Sequence, residues 1–145
     1  MKRIFLSLTL SALVWAPPAI AGDFDPIDFP SKDGAVIFSM PSGNVECNFT
    51  PAHYRGVYRT PDDLAELSCD RAQPSYIRIV LGEKLKPVLI KNPGDQPCCS
   101  GNNVVPYGRS WRQGTFECDS RADGLYCTRE DQHGFRVSKA KVELF

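Results

Sequence analysis

The sequence predicts an all-β fold: a small antiparallel sandwich or barrel of short strands, stapled by disulfides, with at most one or two short helical turns. Three observations predict it. Short apolar or alternating runs are punctuated every few residues by turn chemistry. The cysteine count is even, at six. The N-terminus reads as a cleaved export signal, which places those cysteines where disulfides persist.

The export signal is residues 1–21. Lys2 and Arg3 supply a basic start, Ile4 to Ala16 a short apolar run, Pro17-Pro18 a break, and Ala19-Ile20-Ala21 a small-x-small cleavage site. The apolar run is too short for a membrane anchor, which needs roughly 20 residues. No cysteine follows Ala21 for lipid attachment, since Gly22 does. Cleavage after Ala21 leaves 124 of the 145 residues, one domain's worth. Of 17 Lys and Arg, two lie in the leader, so 15 stand against 17 acids and the net charge is −2. No basic stripe is present, which argues against nucleic acid as a partner. No polybasic patch is present either, which argues against a membrane surface.

Residues 22–34 read as an irregular Asp- and Pro-rich arm, and residues 35–145 as one β-rich domain. Ala35 to Met40 and Val45 to Phe49 flank Pro41-Ser42-Gly43-Asn44, a strand–turn–strand pattern. Thr50 to Thr60 lacks a period and reads as a loop. Thr60-Pro61-Asp62-Asp63 has the chemistry of a helix start, with a short helical turn expected over Leu64 to Leu67. Tyr76 to Leu81 and Leu85 to Lys91 are strands around Gly82-Glu83-Lys84, with Pro87 placing the second at a sheet edge. Gln96 to Asn103 is a cysteine-bearing loop, and Val104 to Trp111 holds at most a short strand. Thr115 to Ser120, Leu125 to Arg129, Gly134 to Val137 and Val142 to Phe145 complete the strands. No internal repeat is apparent in the sequence.

The cysteines sort by spacing. Cys118 and Cys127 flank a hairpin loop at Arg121 to Gly124 and face each other across it, where opposed Cα atoms lie about 4.5 Å apart, within reach of a disulfide. Cys47 and Cys69 form the natural second pair. Each such loop contributes roughly 2.5–3.5 kcal/mol in the chain-entropy model. Cys98 and Cys99 are adjacent. They either bridge each other as a rigid turn, act as a redox switch or flat ligand contact, or take partners elsewhere.

The ordered residues Phe38-x-x-Pro41-Ser42-Gly43-Asn44-Val45-x-Cys47, Ser68-Cys69-Asp70, a cysteine before Ser100-Gly101, Pro106-Tyr107-Gly108-x-Ser110-Trp111, Gly114-x-Phe116-x-Cys118-x-Ser120, Gly124-Leu125-x-Cys127 and His133-Gly134-Phe135 resemble a family of small exported bacterial proteins carried as a domain of unknown function. The resemblance covers most of residues 35–145 and implies a bacterial exported protein. It implies no activity, so no catalytic residue follows from it. Many family members carry a separate cysteine where this chain has the Cys98-Cys99 doublet, which favours a vicinal bridge.

Catalytic, metal-binding and cofactor-binding residues are not expected. The two histidines, His53 and His133, lack a free thiol partner in an oxidised chain, no nucleophile-elbow sequence occurs, and Cys98-Cys99 lacks zinc-ligand spacing. Asp62-Asp63 suits a helix start better than acid–base chemistry. Tyr107, Trp111 and His133 are candidate ligand contacts, although large aromatics more often pack on the sheet. The expectation is a secreted or periplasmic monomer, a non-enzymatic binding or envelope-associated module whose partner is an envelope protein or a glycan. Alternatives are a protein inhibitor of an extracytoplasmic enzyme, a hydrolase using His133 with Asp131 and a serine, and a redox-responsive module acting through Cys98-Cys99. Mass spectrometry of the exported protein is expected to place its N-terminus at Gly22, with all six cysteines unreactive to alkylation until reduced; a retained Met1 or a free thiol contradicts the reading.

Overall fold

The computed structural model describes residues 24–145, so the expected export signal (residues 1–21) and the first two residues of the expected arm lie outside the described residues. Ten strands follow in order: β1 (Val36–Ser39), β2 (Val45–Thr50), β3 (Glu66–Arg71), β4 (Ile77–Gly82), β5 (Val88–Lys91), β6 (Arg109–Gln113), β7 (Phe116–Arg121), β8 (Gly124–Arg129), β9 (Gly134–Val137) and β10 (Val142–Leu144). The first five form one antiparallel sheet and the last five another, each with its strands in chain order. The two sheets bury their apolar faces against each other, as half-apolar strands require.

Alternation decides which side chains meet there. Val45, Cys47 and Phe49 of β2, Leu67 and Cys69 of β3, and Ile77, Ile79 and Leu81 of β4 are buried in the first sheet. Trp111, Phe116, Cys118, Leu125, Cys127, Phe135 and Val137 answer from the second. Aromatic rings join the sheets, with Trp111 4.7 Å from Phe38 and 5.4 Å from Phe49 between centroids. Trp111 is only 1% exposed, so as a ligand contact it is corrected to a core residue. Gly134 is required where β9 passes β8: a Cβ there would collide with the Cys127 carbonyl.

Two edges are covered. The arm bridges β6, where Ile27 N donates to Ser110 O at 2.8 Å and Ser110 Oγ donates to Phe24 O at 2.9 Å. Residues 103–105 run along β1, where Ser39 N donates to Asn103 O at 2.7 Å and Val105 N to Ser39 O at 3.0 Å. Such cover removes an open template for pairing with other chains. β5 begins at Val88, just beyond Pro87, and stands at the edge of its sheet, as the missing Pro N–H demands.

The expected helical turn at Leu64 to Leu67 does not form, and no helix occurs among the described residues. The capping residues make a turn instead. Asp62 Oδ1 accepts from Leu64 N at 3.2 Å, Thr60 Oγ1 donates to Leu64 O at 2.7 Å, and Glu66 already lies in β3. The segment before Cys69 is too short to pack a helix, and Leu67 is needed in the sheet.

The absence of an internal repeat is also corrected. The two sheets are copies of one pattern. Cys47 and Cys118 are the third residues of β2 and β7, and Cys69 and Cys127 the fourth of β3 and β8. Leu67-x-Cys69-x-Arg71 matches Leu125-x-Cys127-x-Arg129, and Glu46-Cys47 matches Glu117-Cys118. Phe38 and Trp111 occupy equivalent register positions, each opposite the first cysteine of its sheet. Hydrogen bonds repeat as well: Ala72 N donates to Asn44 O and Glu130 N to Thr115 O, both at 3.0 Å. Different strand and loop lengths hide the pattern from a linear reading.

The copies meet reciprocally, as in a twofold interface. Arg71 of the first sheet donates Nη1 to Ser138 O, just after β9. Arg129 of the second donates Nη1 to Gly82 O, the equivalent position at the end of β4. Arg129 adds 2.9 Å bonds to the carbonyls of Lys84 and Leu85. The truncation Trp111→Ala is expected to cost about 3–5 kcal/mol in denaturant unfolding, whereas Tyr107→Ala, at an exposed position, is expected to stay within about 0.5 kcal/mol.

Candidate functional site

At one end of the sandwich the loops of both sheets surround a cavity of about 840 Å³. The β1–β2 turn contributes Ser42, Gly43 and Asn44, and Tyr107 stands beside it. The second sheet contributes Asp123, Arg136, and Ser138 to Lys141 of the β9–β10 turn. The size falls within the range of small-molecule sites.

Local chemistry shapes this mouth. Gly43 takes φ +65°, which its missing Cβ permits, and turns the chain from β1 into β2. Asn44 then ties the turn to the segment after β3: its Oδ1 accepts from Gln73 N at 2.8 Å and its Nδ2 donates to Gln73 O at 3.0 Å. Pro41-Ser42-Gly43-Asn44 is therefore a brace for the cavity rim as well as a turn. Tyr107 is 48% exposed at this rim, the one sequence-predicted contact that lies in the cavity wall.

One charged residue behind this cavity was not predicted. Arg71 is buried, 6% exposed, although it carries a charge. Its Nη1 donates to the carbonyl of Ser138 at 3.1 Å, and Ser138 and the adjoining Ala72 both line the cavity. Its Nη2 donates to Ser75 O at 3.3 Å. Arg71 Nε has no hydrogen-bond partner, and no carboxylate pairs with the guanidinium among the described residues. Burial pulls its pKa below the ordinary arginine value. Strand alternation carried a signal for it, because Arg71 shares the inward face with Leu67 and Cys69, an unusual place for a charge. Three more cations stand at the mouth. Arg136 is paired with Asp123 at 2.9 Å, Lys141 with Glu143 at 2.7 Å, and Lys139 is exposed.

A second, smaller cleft of about 230 Å³ lies on the outer face of the first sheet. Glu46, Asp70 and Arg78 are neighbours there across β2, β3 and β4. Arg78 grips Asp70 with Nε at 2.7 Å and Nη2 at 2.9 Å and reaches Asp95 at 3.0 Å. Tyr58 donates to Glu66 at 3.0 Å; burial is the main reason its hydroxyl is pushed up to about 12 and the Glu66 carboxyl above its ordinary value.

Cys98 and Cys99 bridge each other beside this cleft. Cys98 N donates to the Tyr76 hydroxyl at 2.9 Å, and that hydroxyl donates to Asp70 at 2.7 Å. Glu46 Oε2 accepts from Ser100 N at 2.9 Å and Gly101 N at 2.7 Å. The doublet is thus the anchored part of the crossing between the sheets. Cys47–Cys69 and Cys118–Cys127 are cross-strand bridges with Cα separations of 4.0 and 4.1 Å. The sulfurs of Cys47, Cys69 and Cys127 lie within 4.8 Å of one another. As half-cystines they offer no thiolate, the form that ligates metal.

His133 sits at the opposite end from the cavity, with Nδ1 3.4 Å from Phe145 O. Asp131 does not orient its ring. Asp131 Oδ1 accepts from Arg129 Nε at 2.8 Å and from the His133 backbone N at 3.2 Å, while Oδ2 accepts from Arg129 Nη2. No protein-family model, curated protein or solved structure matches the chain.

The Arg129 hydrogen bond is the main reason the Asp131 carboxyl falls from its ordinary 3.8 to about 2. A depressed carboxylate stabilises the fold above its unfolded pKa and loses that effect as pH falls through the folded one. Asp131→Asn is therefore expected to lower Tm at pH 7, with the difference from the parent shrinking from about pH 4 to about pH 2; a pH-independent difference in thermal melts contradicts this.

Proposed function

We propose that this protein is a non-enzymatic binding module acting outside the cytosol, in the periplasm or the medium, on an envelope protein or a glycan, and that it engages its ligand through the mouth of the sandwich. The observation that carries this reading is the 840 Å³ cavity walled by turns from both sheets, with the buried guanidinium of Arg71 behind it. Binding sites commonly sit on loops held by a rigid scaffold. The scaffold here is rigid for a stated reason, since each sheet carries its own internal bridge and the sheets are clasped at both ends. The cavity wall contains Ser42 and Ser138 but neither histidine, so no serine–histidine nucleophile is assembled in it. Export to an oxidising compartment fits both the basic and apolar start of the chain and the complete pairing of the cysteines in bridges.

The test is capture from envelope extract by the oxidised protein, with matched variants. Tyr107→Ala and Lys139→Glu at the mouth are expected to weaken capture on the order of tenfold or more, while Glu117→Gln on the outer face of the second sheet leaves it unchanged. Turnover of a substrate panel that is lost in the mouth variants overturns the non-enzymatic reading, and capture indifferent to both mouth variants overturns the site.

A further inference from the structure

Each sheet has two edges, and the fold treats them differently. β1 is covered by residues 103–105 and β6 by the arm. β5 and β10 close the far sides of their sheets, with no further strand beyond them among the described residues. At β10, Lys141 pairs with Glu143 at 2.7 Å, so its charges satisfy each other. β5 differs. From Lys84 to Lys91 the chain carries three lysines and no acid, and none of the three forms an ion pair among the described residues. The preceding acid, Glu83, accepts from Ala65 N at 3.0 Å, and Asp95 is held by Arg78.

The backbone of β5 is open as well. Asn92 N donates to Tyr76 O at 3.3 Å, and β5 continues that register with Ile90 opposite Arg78 and Val88 opposite Val80. Antiparallel pairs alternate, so Ile90 and Val88 bond to β4 while the N–H and C=O of Leu89 and Lys91 point away from it. No backbone partner meets those groups among the described residues. Side chains alternate too. Leu89 packs on the core, whereas Val88 at 54% and Ile90 at 39% exposure stand on the outer face, with Leu85 at 79% just before them. The strand is held in place from its start: Arg129 donates to the carbonyls of Gly82, Lys84 and Leu85 in the turn that leads into it. No β5 residue lines the mouth.

We propose that β5 is a second interaction surface, one that takes an extended acidic segment of a partner protein as an added strand. The outward donors and acceptors of Leu89 and Lys91 pair with the peptide backbone, alternate peptide side chains lie beside Val88 and Ile90, and peptide carboxylates meet Lys84, Lys86 and Lys91. The lysines choose the occupant. A second copy of this chain brings the same three lysines to the edge and is repelled, whereas an acidic strand is attracted. This surface is independent of the mouth, so neither reading depends on the other.

The test is an NMR titration of the full oxidised chain with capped peptides of alternating valine and threonine. One peptide has glutamate at both ends, one has lysine at both ends, and one has glutamate ends with alternate backbone nitrogens methylated. The glutamate peptide is expected to shift the Leu89 and Lys91 amides and to slow their hydrogen exchange. It is expected to bind roughly tenfold or more tightly than the lysine peptide, with the difference shrinking in about 1 M salt. Methylation is expected to abolish binding. Joint replacement by Lys84→Glu, Lys86→Glu and Lys91→Glu, all at exposed positions, is expected to reverse the charge preference. Lys91→Pro removes an outward N–H while leaving the β4 ladder whole, and is expected to weaken binding more than Lys91→Ala does. Equal binding of the glutamate and lysine peptides overturns the acidic partner, and undiminished binding of the methylated peptide overturns strand addition. Shifts confined to the mouth, or absence of binding, overturn the surface. Self-association of the unliganded chain that protects the Leu89 and Lys91 amides overturns the partner peptide in favour of a second copy.

Discussion

Two guanidiniums sealed between sheets set the rest of this structure. A buried arginine must place its donors on acceptors, because desolvated and unpaired it is destabilising. Arg129 meets that demand with carbonyls of the opposite sheet and the Asp131 carboxylate, and Arg71 meets it in part, through the Ser138 carbonyl of the opposite sheet and Ser75, while its Nε has no partner. Apolar packing alone is tolerant of small slips between layers. A directional bond from each end to a particular carbonyl is not. The two clasps therefore fix how the sheets lie on each other, and with that which turns surround the cavity.

The bridges act within the sheets rather than between them. Cys47–Cys69 locks β2 to β3, and Cys118–Cys127 locks β7 to β8, both at directly opposed positions. Their sulfurs meet in the interior, where they add buried contact area as well as restricting the unfolded chain. Cys98–Cys99 closes no long loop. Its surroundings, Tyr76 and Glu46, pin the crossing segment to the outer face of the first sheet. The three bridges thus hold three separate parts: one sheet, the other sheet and the connection.

Much of the architecture was legible because strand alternation is a local signal. Ile77, Ile79 and Leu81 announce an inward face, Pro87 announces an edge, and Cys118 and Cys127 announce a hairpin across Gly124. The false helix over Leu64 to Leu67 came from real capping chemistry at Thr60 and Asp62, overridden by Leu67 being needed in β3. The repeat was missed because it lies in strand register and contact pattern, while the connecting loops differ in length. The binding cavity was only partly legible. Tyr107 and the Pro41-Ser42-Gly43-Asn44 turn were visible in the sequence, but their convergence with Gln73 and Ser138 depends on folding the second sheet over the first. Arg71 could have been found by asking why a charge shares a face with Leu67 and Cys69.

The twofold character of the contacts also bears on how the two halves of the chain find each other. Each half presents an apolar face whose natural complement is the other half, and the same half from a neighbouring molecule offers an equally good complement. Exchange of halves between molecules is therefore a competing outcome of folding. The connection bears on the competition: residues 92–108 are tacked to β1, β2 and β4 along their course, at Asn103, Gly101 and Asp95. A tether pinned so closely keeps the second half at high effective concentration over the first, which favours closure within one chain over exchange between chains.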